Sequence, residues 1–389
     1  MSRPMWFVLA GGGTGGHLFP ALAVVAELRA LTGSQDGVEV SFFCTPRPID
    51  AHVLGAAQVE AIPQQVRPFS GRPWRWPAFW RAWRGSVAVC RQMFRHRRPA
   101  AVVGAGGYAS GPAVRAALDA GVPTFLLNPD AVPGRANRHF ARHKGLAGIF
   151  AQWAVTRDHL PAAAPVAVTG CPVRRTFLEA GGRDRDELVR LFDLQPGRRL
   201  LLVTGASQGA RTINEAMAAL ADRLDWTGWQ VLHLAGQADV ARVSAAYGRA
   251  DRMRGGMARV LPFTDRMAEA VAAADLVISR AGASTLAEIL VLGKPSVLLP
   301  YPYHRDNHQR RNAEVLAGAG AAVLVDDARD TEVNCRVLEA VLSQLMHDDV
   351  QRDAMARSAL SLGRPDAGRR IAQRLLDAAR TSTDPACEF

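Results

Sequence analysis

One pattern recurs along the whole chain: a short aliphatic or β-branched run, a glycine-rich turn, then a longer amphipathic segment. This alternation is the signature of βα units built around parallel sheets. It predicts strands at Trp6–Ala10, Val38–Cys44, Ala100–Val103, Thr124–Leu127, Gly148–Ala151 and Val166–Thr169. A second series follows at Leu200–Thr204, Gln230–Ala235, Ala258–Pro262, Leu276–Ser279, Ser296–Pro300 and Ala321–Val325. Between them lies Cys171–Gly197, charged, rich in turn formers and without a strand pattern, which places a boundary near residue 175. At 389 residues the chain is too long for one ordinary core. The expected architecture is α/β, with two doubly wound domains over 1–175 and 176–364 and a closing helix over about 365–381 packed back on the first. Open α/β sheets take ligands at the carboxyl ends of their strands, so the cleft between two such halves is the expected site.

The turns after the strands carry the chemistry. Gly11-Gly12-Gly13-Thr14-Gly15-Gly16-His17 follows the first strand and opens a helix from about Pro20. Without Cβ atoms the backbone turns tightly and lets a phosphate or hydroxyl approach amides at a helix N-terminus. The spacing also satisfies GxGxxG, but the acid that would grip a ribose at the end of the second strand is missing from Phe42-Phe43-Cys44-Thr45. That disfavours a nicotinamide oxidoreductase. His17, beside this loop, is a candidate general base. Gly104-Ala105-Gly106-Gly107-Tyr108-Ala109-Ser110-Gly111-Pro112 repeats the design and would line the acceptor side.

In the second half, Thr204-Gly205-Ala206-Ser207-Gln208-Gly209-Ala210 joins strand to helix with a hydroxyl and an amide able to contact a diphosphate; it lacks the Lys-Ser/Thr pair of a P-loop. Ser279-Arg280-Ala281-Gly282-Ala283-Ser284-Thr285-Leu286-Ala287-Glu288 places small residues at a helix start and a carboxylate inside the helix, where it can accept two ribose hydroxyls. Pro300–Ala313 is a polar loop at a strand's carboxyl end, and His304 and His308 stand at one-turn spacing within it. With prolines upstream and no partnered acid, that pair is not read as a zinc site.

A formal net charge of +11 invites three acidic partners: nucleic acid, an anionic membrane surface, or a phosphorylated substrate. No helix-turn-helix, RNA-recognition or finger spacing appears, so nucleic acid is not expected. Trp76, Trp80, Trp83, Val87, Cys90 and Phe94 recur at i, i+4, i+7 spacing, with Arg75, Arg81 and Arg84 at the edges. Indoles flanked by guanidinium groups suit the headgroup layer, so Trp76, Trp80, Trp83 and Arg84 are candidate membrane residues. A buried core helix is the competing reading. Five scattered cysteines, with no CxxC spacing, fit thiols kept reduced in a cytoplasm. The apolar run Met5–Ala10 is too short for a signal-peptide core or a membrane span.

With these residues in hand, the chain resembles the MurG family of glycosyltransferases from about residue 6 to about residue 375. The resemblance rests on the GGGTGGH and GAGGYASGP loops, Thr169-Gly170-Cys171-Pro172-Val173-Arg174, the GASQGAR loop, Phe263-Thr264-Asp265-Arg266-Met267, the SRAGASTLAE segment, and Asp306-Asn307-His308-Gln309 with Asn312-Ala313. It implies a GT-B fold, two Rossmann-like domains facing across a cleft. It implies inverting, metal-independent transfer of N-acetylglucosamine from UDP-N-acetylglucosamine to the C4 hydroxyl of N-acetylmuramic acid in lipid I, giving lipid II for peptidoglycan, with no cofactor. The first domain would hold the acceptor and an anionic membrane surface, the second the UDP-sugar, at the cytoplasmic face of the bacterial inner membrane.

Carried over by position, Thr14, Gly15 and Gly16 border sugar and acceptor. Arg174, Ser207, Gln208 and the backbone near Thr264 hold the nucleotide. Ala283, Ser284, Thr285, Leu286, Ala287 and Glu288 cradle diphosphate and ribose, and Gln309 takes the sugar hydroxyls. The stretch Leu127-Asn128-Pro129-Asp130 departs from the family's His-Glu-Gln-Asn, leaving Asp130 where an amide contacts the sugar. A carboxylate accepts a hydroxyl bond and cannot donate one. Asp130 is therefore a second candidate for the catalytic base beside His17. A related enzyme using another UDP-sugar or another polyprenyl or lipid acceptor is the alternative.

Overall fold

A computed structural model describes residues 4–13, 15–33, 37–69, 71–205, 209–254, 258–303 and 306–383. Two compact units divide the chain, Met1–Arg174 with Arg364–Phe389, and Arg175–Gly363.

Unit 1 runs β1 (Met5–Ala10), α1 (Gly15–Thr32), β2 (Val38–Cys44), α2 (Pro48–Ala56), β3 (Glu60–Pro63), α3 (Trp76–His96), β4 (Ala101–Gly104), α4 (Gly111–Asp119), β5 (Thr124–Asn128), α5 (Arg135–Phe140), β6 (Leu146–Ala151) and β7 (Val166–Val168). The strands form one parallel sheet in the order β3-β2-β1-β4-β5-β6-β7. Helices cover both faces, so the inner strands read as almost continuous apolar runs. Phe7 and Leu9 point to one face, Trp6, Val8 and Ala10 to the other. The strand β3 was not predicted: it is a four-residue edge strand ending in proline, half-exposed and without alternation. The helix α1 begins at Gly15 and contains Pro20, five residues ahead of the expected start.

Unit 2 runs α6 (Arg175–Gly181), α7 (Arg185–Arg190), β8 (Arg199–Thr204), α8 (Arg211–Ala219), β9 (Trp229–Leu234), α9 (Val240–Arg254), β10 (Ala258–Leu261), α10 (Met267–Ala273), β11 (Leu276–Ser279), α11 (Ala283–Val291), β12 (Ser296–Leu298), α12 (His308–Gly318), β13 (Ala322–Leu324), α13 (Thr331–His347) and α14 (Asp349–Leu362). Its parallel sheet has the order β10-β9-β8-β11-β12-β13. The last helix, α15 (Ala367–Thr383), returns to unit 1. There Ile371, Ala372, Leu375, Leu376 and Ala379 pack with Leu18, Val24, Val25 and Leu28 of α1 on the Phe7/Leu9 face. On the opposite face α3 and α4 cover Trp6, Val8 and Ala10 through Cys90, Phe94, Ala113 and Ala117.

Both sheets reverse strand order once, between β1 and β4 and between β8 and β11. Such a switch point splays the adjacent loops apart and opens a crevice. The loops flanking the two switch points are the glycine turns singled out above. Among the described residues no helix is long and apolar enough to cross a membrane.

Candidate functional site

The crevice of unit 2 is a cavity of about 520 Å³, inside the ~300–1,000 Å³ range of small-ligand sites. Thr204, Gly205, Gly209 and Ala210 line it from the end of β8 and its turn, Arg280 and Gly282 from the β11 turn, Tyr301 and Tyr303 from the loop after β12, and Gln309 from the first turn of α12, which begins inside the stretch read from the sequence as a loop. Of the candidate donor residues, Thr285, Glu288 and Gln309 reach this lining. Leu286 and Ala287 are buried in the core instead, and Ala283 is buried at the start of α11; Ser284 is half-buried and outside the lining. Thr14, Ser207 and Gln208 lie outside the described residues, as does His304.

Helix ends give the cavity its polarity. Away from it, Asp184, Asp330 and Asp348 cap α7, α13 and α14, accepting from the amides of Glu187 at 2.9 Å, Val333 at 2.9 Å and Gln351 at 2.8 Å. At the cavity the preceding residues are Ala210 for α8 and Gly282 for α11, and neither helix has a side-chain cap. The helices α2, α3, α4, α5, α10 and α12 lack a side-chain cap as well; α8 and α11 bear on the site because the N-terminal turns of both line one cavity, an arrangement suited to a diphosphate. Thr204 adds a hydroxyl that is buried without a hydrogen-bond partner among the described residues.

A buried ion pair fixes this wall. Arg280 donates to Leu299 O at 3.0 Å, Pro300 O at 3.2 Å and Asp327 Oδ2 at 2.7 Å through one nitrogen, and to Thr212 Oγ1 at 2.8 Å through another. The Asp327 side chain has no exposed surface. Burial pushes its carboxyl up, but hydrogen bonds from Thr212, Arg280, the Arg329 amide and Asn334 outweigh that and hold it below the usual range. The planar guanidinium thus ties the end of β11 to the end of β12, the start of α8 and the loop after β13. A second network lies behind the β8 turn: Asn214 donates to Ala235 O at 2.7 Å and Asp239 Oδ2 at 2.8 Å, and His233 Nε2 stands 3.0 Å from Asn214 Oδ1. Burial lowers the His233 pKa from 6.5 to about 3, so the ring is neutral and Nε2 carries the donated proton. Sequence reading assigned a role to none of these residues.

In unit 1 the β1 turn is already engaged. The Asp50 carboxyl, fully buried in α2, accepts from Gly13 N at 3.1 Å, Thr45 N at 3.1 Å and Thr45 Oγ1 at 2.6 Å. Arg47 donates to Gly13 O at 2.9 Å. A Cβ at Gly12, where φ is +119°, would overlap Asp50 Oδ2. The acid missing from the end of β2 is present six residues past Cys44, and it grips the loop's own backbone. Since Asp50 holds the Gly13 amide, the turn is less open to a phosphate than its glycines suggest.

His17, half-buried in α1, packs on the β4 turn: a Cβ at Gly106 would stand 2.8 Å from its Nδ1. Gly15 is half-buried and Gly16 exposed in the first turn of α1. Half-buried Asp130 follows β5, the neighbour of β4 in the sheet. Its backbone is fixed from below: Asn128 donates to Asp130 O at 2.7 Å, and Asn137 donates to Leu127 O at 2.9 Å and Asn128 Oδ1 at 3.1 Å. The turns after β1, β4 and β5, three neighbouring strands, thus place His17 and Asp130 at the carboxyl end of the same sheet. Arg174, the last residue of the unit's first segment, lies 4.5 Å from the centre of the Phe19 ring. Thr264 in unit 2 accepts from Arg266 N at 3.1 Å and is not part of the cavity lining.

The α3 stripe divides. Val87, Cys90 and Phe94 are core, while Trp76 and Trp80 are 42% and 50% exposed. Trp83 is half-buried, its ring against Gly111 of α4. Phe69 and Trp74, not in the predicted set, are also exposed, and Phe69 stacks on Trp76 with centroids 5.9 Å apart. Arg72, Arg75, Arg81 and Arg84 are exposed beside them.

Comparison with known proteins fits this arrangement. The glycosyltransferase family 28 N-terminal domain matches residues 7–144, and its C-terminal domain matches residues 200–371. A UDP-N-acetylglucosamine--N-acetylmuramyl-(pentapeptide) pyrophosphoryl-undecaprenol N-acetylglucosamine transferase of Moorella thermoacetica is 39% identical over 380 residues, covering 96% of this chain and 98% of that protein. The Sorangium cellulosum protein of the same name is 37% identical over 386 residues, covering 98% and 90%. Among solved structures, Acinetobacter baumannii MurG has a TM-score of 0.73 at 25% identity, covering 96% of this chain and all of that one. A UDP-GlcNAc 2-epimerase from Neisseria meningitidis shares the fold at a TM-score of 0.64 and 14% identity. The chain is a glycosyltransferase of family 28 with the GT-B architecture, and it belongs to the MurG family.

Proposed function

We propose that the protein transfers N-acetylglucosamine from UDP-N-acetylglucosamine to the C4 hydroxyl of N-acetylmuramic acid in lipid I, forming lipid II for peptidoglycan. Supporting this reading are relatives bearing that transferase name over nearly the full chain. The observation that carries the donor half is the unit 2 cavity, where two uncapped helix N-termini, the Thr204 hydroxyl and the Glu288 carboxyl group meet.

In this reading UDP lies in unit 2, with Glu288 accepting the ribose hydroxyls and the α8 and α11 amides neutralising the diphosphate. Ser207, Gln208, Ser284, Thr264 and Arg174 complete the nucleotide contacts, and Gln309 meets the sugar. The acceptor enters at the unit 1 loops around Gly15, Gly16 and Asp130. A base, His17 or Asp130, takes the proton from the C4 hydroxyl; that oxygen bonds to the sugar's anomeric carbon from the face opposite the leaving group. The anomeric C–O bond breaks and its electron pair leaves with UDP, whose growing charge is met by the helix amides. Inversion follows from the opposite-face attack.

The exposed cluster of Phe69, Trp74, Trp76 and Trp80 among arginines is the surface we assign to an anionic bilayer, placing the enzyme peripherally at the cytoplasmic face of the inner membrane, where a polyprenyl-linked acceptor is anchored. The departure at Leu127-Asn128-Pro129-Asp130 favours one second reading, another UDP-sugar or lipid acceptor on the same scaffold. Incubating the enzyme with a lipid I analogue and labelled UDP-N-acetylglucosamine, UDP-N-acetylgalactosamine or UDP-glucose decides between them. Preferred incorporation of N-acetylglucosamine in β linkage is expected; preference for another sugar nucleotide, or none with this acceptor, would overturn the proposal.

A further inference from the structure

Unit 1 carries a second groove, of about 1000 Å³, none of whose lining residues belongs to the glycine turns. Its walls are the start of α15, the outer strands β6 and β7, and the connection between those strands, which carries Arg157 and Ala164. Ala147, Ala164 and Ala167 give it a floor of small side chains, and Arg157, Arg369, Arg370 and Arg374 rim it. Asp366, the one acidic residue in the lining, pairs with Arg370 at 2.6 Å. Arg157 donates to Val166 O at 3.4 Å. Neither Arg369 nor Arg374 has a carboxylate partner among the described residues, and Arg370 and Arg374 stand one helical turn apart, a like-charge spacing that destabilises a helix by itself.

We propose that this groove docks an acidic segment of a partner protein. Four guanidinium groups against one carboxylate leave an excess positive charge that a row of carboxylates would neutralise, each through the two-pronged geometry that guanidinium favours. The alanine floor lets the incoming main chain approach closely. Addition of a strand is not the mode: β7 has three residues, and at its edge Val166 N already donates to Ala164 O at 2.8 Å while Val166 O accepts from Arg157. A bilayer fits less well. The groove lies on the α1/α15 face of the sheet, whereas α3 with its exposed tryptophans covers the opposite face. The lining also holds no aromatic ring to enter a headgroup layer or to stack a base.

The test uses the full-length protein and fluorescence anisotropy with a labelled peptide of alternating glutamate and alanine, and a lysine–alanine peptide as control. Anionic phosphatidylglycerol vesicles and duplex DNA are measured in parallel. The acidic peptide alone of the two is expected to bind, weakening as salt rises. Reversing Arg369, Arg370 and Arg374 to Glu should weaken it roughly tenfold or more, with vesicle binding and glycosyl transfer unchanged. The milder Arg369→Gln/Arg374→Gln pair reads the same loss should the triple variant fold poorly. Failure of the wild type to bind the acidic peptide, equal binding by the variants, or variants that lose vesicles or DNA while keeping the peptide would each overturn the proposal.

Discussion

Glu288 and His233 have opposite relations to solvent, and each makes a prediction at the scale of a single side chain. Glu288 lines the cavity, one turn past Thr285 on the same side of α11. As a ribose acceptor it would make hydrogen bonds to a charged group worth ~1.5–3 kcal/mol. Glu288→Ala is therefore expected to raise the donor KM by roughly ten- to a hundredfold, with a smaller effect on kcat. Steady-state kinetics with an unchanged donor KM would remove Glu288 from the site. His233 is sealed and neutral, with its pKa lowered by burial to about 3. Between that value and 6.5 the unfolded chain binds a proton that the folded protein does not. Stability should fall as pH drops below 6.5, by up to ~1.4 kcal/mol per pH unit from this group. His233→Gln should flatten the decline in melting temperature between pH 6.5 and 5; identical slopes would show that another group sets it. The place of Glu288 at the cavity was legible in the sequence because its helix opens on a glycine turn at the carboxyl end of a strand, where open α/β sheets take ligands. His233 was not, because only its burial separates it from any strand histidine.

Turns and helices were legible to different degrees for reasons of range. The predicted strands are present because parallel strands covered on both faces have almost no choice but aliphatic residues. Glycine turns also stand out, since no other residue replaces a missing Cβ. What holds those turns did not, because it depends on distant contacts: Asp50 reaches Gly13 across 37 positions, and Arg280 reaches Asp327 across 47. In α3 the helical period is the same for residues in the core and residues at the surface, so periodicity could not divide Val87 from Trp80. The turn-holding role is testable. Asp50→Asn keeps shape but replaces one accepting oxygen with a donor facing the donors Gly13 N and Thr45 N. We expect a loss of ~1–3 kcal/mol in stability and a marked fall in kcat, with donor KM much less affected. Thermal melts and kinetics at saturating acceptor check this; wild-type values in both would mean that the β1 turn holds its shape without Asp50.

At the scale of the molecule, two sheets of the same winding carry different loop chemistry. The β1 turn of unit 1 is bound by the Asp50 carboxyl group, whereas at the unit 2 cavity α8 and α11 have no side-chain cap and the Thr204 hydroxyl has no partner among the described residues. Surface chemistry divides as well, with exposed indoles among arginines on α3 and an arginine-rimmed groove beside α15. Replacing Trp76 and Trp80 by Ser should reduce co-sedimentation with anionic vesicles roughly tenfold or more while sparing the melting temperature. Undiminished co-sedimentation would move the membrane surface elsewhere. That the nucleotide belongs to unit 2 is tested most directly by hydrogen exchange with and without UDP. Protection is expected in the first turns of α8 and α11 and in the β8 turn, with the β1 and β4 turns of unit 1 unchanged. Protection confined to the unit 1 turns would contradict the assignment.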